Sequence, residues 1–208
     1  MSQLPDRFLS LVLVVAALLL FVVAGLVGGP DNLRDVATIH MLAAERSAHI
    51  GLTARAIVIT HVGGAPMLAG ILLIAVAFLA YARQWRSAIS LAAIVLGGRV
   101  SVEILKILID RPRPHFGLYP VEIASLSFPS GHSANTMITF LALALILAPA
   151  RFRANAVAAA VAASVLIGST RPLLGVHWPS DVVGGWAFGI AWVVAGVALS
   201  LRWRSAAK

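Results

Sequence analysis

Residues 8–28 read FLSLVLVVAALLLFVVAGLVG. The stretch carries no charge and matches the roughly 20 apolar residues that a helix needs to cross the hydrocarbon core of a bilayer. Arg7 in front of it would suit the basic start of a cleaved signal, but signal cores run only about 7–15 apolar residues, so the stretch is read as a retained helix. Composition extends that reading to the whole chain. Of 208 residues, 60% are hydrophobic and only 12% are charged, against roughly 25% charged in a soluble domain. The length suits one domain, taken as residues 1–208.

Five more apolar stretches follow, at 65–82, 88–109, 130–150, 154–169 and 180–201. The second is closed by Arg83 and Arg86, and the last by Arg202 and Arg204. Between the first two stretches, Pro30, Asp31, Arg34, Asp35, Glu45, Arg46 and Arg55 are scattered among apolar residues. This pattern predicts one or two short amphipathic helices near the interface, with a re-entrant piece as the alternative. The expected fold is therefore all-α: a bundle of six transmembrane helices with a short amphipathic helical segment between spans one and two. No internal repeat and no low-complexity segment stands out.

The net charge of +8 fits arginines at the ends of membrane segments. No basic stretch is interleaved with stacking aromatics, so nucleic acid is not expected as a partner. With no cysteine, disulfides and thiolate chemistry are excluded. Six spans place both termini on one side. With that side inside, Arg7, Arg83, Arg86, Arg151, Arg153, Arg202, Arg204 and Lys208 lie inside, and Arg34, Arg46, Arg55, Arg111, Arg113 and Arg171 lie outside. The bias sharpens when the last three are set aside as site residues.

Basic and histidine side chains gather beside Pro and Gly in three places: 106–114, 129–132 and 171–181. Two crossings separate the third from the others, so all three face the outer side. In the third span Arg99, Glu103, Lys106 and Asp110 share one helix face. Charges at mid-bilayer cost about 2.5–3.5 kcal/mol each and normally face the protein interior. Arg99 and Glu103 are read as an ion-pair ladder to neighbouring spans, with Lys106 and Asp110 nearer the outer end. Arg111-Pro112-Arg113-Pro114 leaves the helix stiffly. Its guanidinium forks match phosphate oxygens, although arginines near a headgroup also serve as plain anchors.

In the second stretch Ser130 is a good N-cap and Gly131 admits a ligand close to the backbone. The helix start then favours an anion beside His132 as a proton donor. The alternative is a capped helix with an interfacial histidine. In the third stretch Asp181, four residues after His177, reaches the imidazole if a helical turn begins between them, and so fixes its tautomer. A simple helix-start charge is the alternative there.

Taken together, Lys106 with six residues before Arg113-Pro114, then Pro129-Ser130-Gly131-His132, then Arg171 with five residues before His177 and three more before Asp181 resemble the tripartite signature of the type 2 phosphatidic acid phosphatase superfamily. That family includes bacterial lipid phosphatases and prenyl-diphosphate phosphatases and shares its site with vanadium haloperoxidases. Thr170 stands where the family usually has Ser and keeps a hydroxyl. Arg111 occupies a variable position and is expected to add phosphate affinity.

The resemblance implies a phosphate cage of Lys106, Arg113, Arg171, Ser130 and the Gly131 amide. It implies His177 as a nucleophile forming a phospho-histidine, Asp181 as its partner and His132 as the acid for the leaving oxygen. No acidic cluster suggests Mg²⁺, so neither metal nor cofactor is expected. The implied activity is that of an integral-membrane lipid phosphatase at the outer face of a bacterial cytoplasmic membrane. Undecaprenyl diphosphate, phosphatidic acid and phosphatidylglycerol phosphate are the candidate substrates. A lipid phosphotransferase and a non-catalytic lipid-phosphate binder or transporter are the rival readings; a haloperoxidase fits six spans poorly. Headgroup selectivity is assigned to 31–60 and 115–127, with His115, Phe116 and Glu122 as candidates. The sequence leaves the lipid and the oligomeric state open.

Overall fold

The computed structural model describes residues 7–115 and 125–205; Phe116 and Glu122 lie outside them. Among the described residues every regular element is helical. In chain order these are α1 (Arg7–Val27), α2 (Leu33–Ala48), α3 (Ile50–Val62), α4 (Ala65–Tyr81), α5 (Trp85–Ile109), α6 (Gly131–Leu147), a 3₁₀ turn at Ala150–Phe152, α7 (Arg153–Leu173) and α8 (Pro179–Ser205). The six expected spans correspond to α1 and α4 to α8, with α2 and α3 between the first two. Among the described residues five apolar stretches have the length to cross a bilayer: Phe8–Val27, Ile50–Tyr81, Trp85–Ile109, Ala150–Leu173 and Pro179–Trp203. The sixth helix, α6, is apolar but has only 17 residues.

The expected interfacial segment is two different things. α2 is amphipathic, is capped by the Asn32 side chain and buries Asp35 and Ile39. α3 is apolar and joins α4 in one greasy stretch, broken at Gly63 and Gly64, with a proline opening α4.

α6 is the hub and packs on α4, α5, α7 and α8, while α1 lies along α8. The core runs through Leu91 and Val102 of α5, Met137, Ile138 and Leu141 of α6, and Phe188 and Val193 of α8. The outer surface is apolar as well: Leu11, Leu19, Val23, Leu73, Ile74, Ile107 and Leu108 are exposed. Such a surface suits lipid as the solvent, where polar groups must pair inside the protein. The indole N–H groups obey this rule. Trp186 donates to the Ser164 carbonyl at 3.0 Å and Trp192 to that of Ile94 at 2.8 Å.

Two helix ends set up the site. α5 stops at Asp110, which takes the left-handed conformation (φ 51°), one that Asp tolerates better than most residues. α7 runs beyond the predicted limit of 169 to Leu173, so Arg171 sits in its last turn rather than in a loop. That end closes as a Schellman turn, with Val176 N–H on the Arg171 carbonyl, Gly175 N–H on that of Pro172, and Gly175 at φ 76°. A Cβ on Gly175 would lie 2.7 Å from a terminal nitrogen of Arg46, and the left-handed backbone there favours glycine. The turn aims His177 back at the bundle.

Candidate active site

The three polar stretches meet in one cavity of about 260 Å³. Lys106, Arg113, Gly131, His132, Arg171 and His177 line it together with Gly63, Ala65, Leu68, Arg99, Glu103, Ser125 and Asn135. Lys106 is buried, and its ammonium lies 3.3 Å from Glu103 Oε1 and 3.3 Å from Ser125 Oγ. A Cβ on Gly131 would come within 3.3 Å of that ammonium, so glycine lets the cation sit against the start of α6. Arg171 donates to Thr60 Oγ1 at 2.8 Å, and its buried Nε–H has no partner among the described residues. An unpaired buried donor is uncommon and marks a place for an acceptor. Arg113 is held by the carbonyls of Ser125 (2.5 Å), Leu126 (3.1 Å) and Val176, and one of its terminal nitrogens lies 3.0 Å from His177 Nε2.

Behind His177 lies a closed polar network. Nδ1 is 3.3 Å from Asp181 Oδ2 and 3.4 Å from Ser127 Oγ. The Ser127 hydroxyl also donates to Asp181 Oδ2, and the Trp178 amide reaches the same oxygen at 2.8 Å. Arg111 takes the other carboxylate oxygen at 2.8 Å. With Nδ1 turned to these acceptors, Nε2 is left facing the cavity. Burial, then the charges of Arg113, Arg171 and Lys106, push the His177 imidazole well below the ordinary histidine range, so it is neutral at neutral pH. A buried neutral imidazole oriented by a carboxylate is the arrangement of an activated nucleophile or base.

Several expectations need correction. Arg111 does not join the phosphate cage. It is buried on the far side, over the Phe128 ring at 4.3 Å, donating to the Ala24 and Gly25 carbonyls at the end of α1 as well as to Asp181. Ser130 takes the N-cap position, but its side chain caps nothing. It is fully buried outside the cavity lining, and its hydroxyl accepts from Ser133 at 3.1 Å while its amide binds the Asp181 carbonyl. The Thr170 hydroxyl is spent on the Ile167 carbonyl within its own helix. Among the described residues Arg99 and Glu103 build no ladder to other helices: Glu103 pairs with Lys106 on α5, and both residues line the cavity.

The sequence reading missed the braces. Asp35 on α2 receives the Gly29 amide (2.7 Å) and the amide and hydroxyl of Ser180. Arg46 donates to the Leu173 carbonyl at 3.0 Å, and Thr60 on α3 holds Arg171. Trp178 Nε1 ties the third stretch to the first through the Pro112 carbonyl at 2.9 Å. Ser125 and Ser127 belong to the site although no motif marks them.

Residues 87–205 match the sequence model of the PAP2 superfamily. The chain belongs to this superfamily. It is 33% identical over 139 residues to phosphatidylglycerophosphatase B of Bacillus subtilis, covering 64% of this chain and 67% of that one. It is 37% identical over 115 residues to a lipid A 1-phosphatase of Rhizobium etli, where the match spans 51% of this chain and 47% of that protein. A crystal structure of a transmembrane PAP2-type phosphatidylglycerolphosphate phosphatase from Bacillus subtilis superposes with a TM-score of 0.81 at 26% identity, covering 91% of this chain and 96% of that one. Family and fold place this chain among the multi-pass membrane lipid phosphatases, which are phosphoric ester hydrolases.

Proposed function

We propose that the chain hydrolyses a phosphomonoester or diphosphate of a membrane lipid through a phospho-histidine, without a metal. The observation that carries this reading is the asymmetry of His177, whose Nδ1 is held by Asp181 and Ser127 while Nε2 opens onto a cavity ringed by Lys106, Arg113 and Arg171. The three cations and the Gly131 amide hold the phosphoryl oxygens, where charge accumulates in the transition state. Nε2 attacks phosphorus as the bond to the lipid oxygen breaks, and His132 gives that oxygen a proton. Water then attacks the phospho-histidine, His132 takes its proton, and inorganic phosphate leaves. Splitting the reaction into two displacements lowers each barrier.

Beside the cavity an apolar groove of about 550 Å³ runs between α4 and α5, lined by Leu72, Leu73, Val76, Val95 and Leu96 among others. A lipid entering sideways leaves its tail there. The basic connections at Arg83 and Arg86 and at Arg151 and Arg153 support a cytoplasmic side opposite the cavity. The site then faces the periplasm from a bacterial inner membrane. Undecaprenyl diphosphate, phosphatidic acid and phosphatidylglycerol phosphate all present a terminal phosphate on an apolar anchor.

The test is phosphate release by the purified chain from phosphate-labelled lipids in detergent micelles, with and without a chelator. Release that persists in chelator and vanishes in His177→Ala supports the reading. Label that appears only on another lipid would make the chain a phosphotransferase. Retained function in His177→Ala with loss in Arg113→Ala would leave a binder or transporter.

A further inference from the structure

Two polar side chains of the cavity wall neither take part in the chemistry above nor brace a residue that does. Arg99 on α5 and Asn135 on α6 line both the polar cavity and the apolar groove, as do Ala65 and Leu68. These four residues form the doorway between the two spaces. Among the described residues neither Arg99 nor Asn135 has an ion-pair or side-chain hydrogen-bond partner. The nearest carboxylate on the same helix face, Glu103, is held by Lys106 at 3.3 Å. Arg99 precedes Lys106 by seven residues, which is two helical turns on one face, or about 10 Å along the axis. It lies towards Leu96 and Ala92 of the groove. Arg99 is exposed, and its guanidinium stands unpaired at the opening shared by cavity and groove, where a lipid with its phosphate in one and its tail in the other must pass.

We propose that Arg99, with Asn135 opposite, binds a second anionic group of the substrate: a phosphate lying between the scissile phosphate and the hydrocarbon. This rests on the lipid-phosphatase reading above and narrows it. The doorway selects lipids with two phosphates in series, as a diphosphate or as a phosphomonoester joined through glycerol to a phosphodiester, over a lipid with one phosphate. A guanidinium matches such a group with two parallel hydrogen bonds, and the amide of Asn135 adds a further donor.

The experiment compares kcat/KM of the wild-type chain, Arg99→Gln, Arg99→Lys and Asn135→Ala on undecaprenyl diphosphate, phosphatidylglycerol phosphate and phosphatidic acid. Thermal unfolding is followed in the same detergent. Arg99→Gln is expected to lose about 10- to 100-fold on at least one of the two doubly phosphorylated lipids, the range of a hydrogen bond to a charged group. Its loss on phosphatidic acid should be several-fold smaller. Arg99→Lys should recover part of the difference, and Asn135→Ala should lose less than Arg99→Gln in the same direction. Whichever doubly phosphorylated lipid suffers the larger loss identifies the linkage. An equal loss on all three lipids, or none, overturns the proposal. If Arg99→Gln fails to fold, the ratio of the lipids in Arg99→Lys decides in its place, an unchanged ratio counting against. Absence of phosphate release from every lipid by the wild type defeats the parent reading instead.

Discussion

The two faces of the His177 ring differ in how their polar groups are satisfied. Behind Nδ1 the charged groups are paired within the protein: Asp181 is shared among Ser127, Arg111 and the Trp178 amide, and Arg111 is shared among Asp181, Ser180 and the end of α1. In front of Nε2, cations outnumber carboxylates and the Nε–H of Arg171 is unpaired. Arg111 and Arg113 are two residues apart and fall on opposite sides of this divide. Arg111 is tied to a buried carboxylate behind the ring, whereas Arg113, although held by the Ser125, Leu126 and Val176 carbonyls, lines the cavity beside Nε2. The same distinction separates Arg111, which the sequence makes look like a phosphate ligand, from Arg99, which it makes look structural.

Each prediction tests that divide. The largest effect is expected for His177→Ala, a loss of more than about 10⁴-fold in kcat, as for other covalent nucleophiles. A mutant retaining a tenth of the activity would end the covalent reading. On the cavity side, Arg113→Ala and Arg171→Ala are each expected to cost about 10²–10³-fold in turnover, the cost of losing one transition-state donor, at temperatures where both variants are still folded. On the scaffold side the pattern reverses. Arg111→Met leaves a buried carboxylate half-paired and is expected to cost about 3–5 kcal/mol of stability, read as a lower melting temperature in detergent. A normal melt with a raised KM would return Arg111 to the phosphate cage. Ser127→Ala removes one partner of Asp181 and is expected to cost about 1–3 kcal/mol of stability, with a loss of activity smaller than in either cage mutant.

The pH profile gives the smallest signal. His177 must be neutral to attack, and burial and the surrounding cations lower its affinity for protons. The acid limb of kcat/KM is therefore expected below the free-histidine value of about 6.5. Removing a cation, as in Arg113→Gln, should move that limb upward. The linkage to stability has a definite sign. The unfolded chain binds a proton at this ring that the folded chain refuses, so stability declines as pH drops from about 6.5 towards the lowered value. An acid limb above 6.5 in the wild type would count against His177 as the attacking group.

The helices were legible because a bilayer imposes a length and a composition that local sequence must meet. That the polar stretches converge on one cavity was legible because Lys106 to Arg113 and His177 to Asp181 are short spacings anchored to helix ends. Side-chain direction was not legible. The helix face and depth of Arg99 could be read from spacing, but not that Glu103 would turn to Lys106 instead. Nothing in Arg111-Pro112-Arg113 says that the first guanidinium goes under the ring and the second over the cavity, since this depends on Asp110 turning left-handed and on α1 ending where it does. Ser130 was read from its suitability as a cap, yet its hydroxyl serves Ser133. The braces lay further out of reach. Asp35 meets Ser180 across 145 positions, Arg46 meets Leu173 across 127 and Thr60 meets Arg171 across 111, and lone polar residues in mixed segments carry no local mark of such partners.

Those long separations set an order of assembly. Helices enter the membrane from the N-terminus as the chain is made. Asp35, Thr60 and Arg111 precede Ser180, Arg171 and Asp181, and Ser180 and Asp181 arrive only with the first turn of α8. Until that helix inserts, neither Arg111 nor the His177 ring has the Asp181 carboxylate, and Asp35 lacks the Ser180 hydroxyl. The pocket is thus drawn from segments far apart along the chain, and it is α8 that supplies the carboxylate completing it.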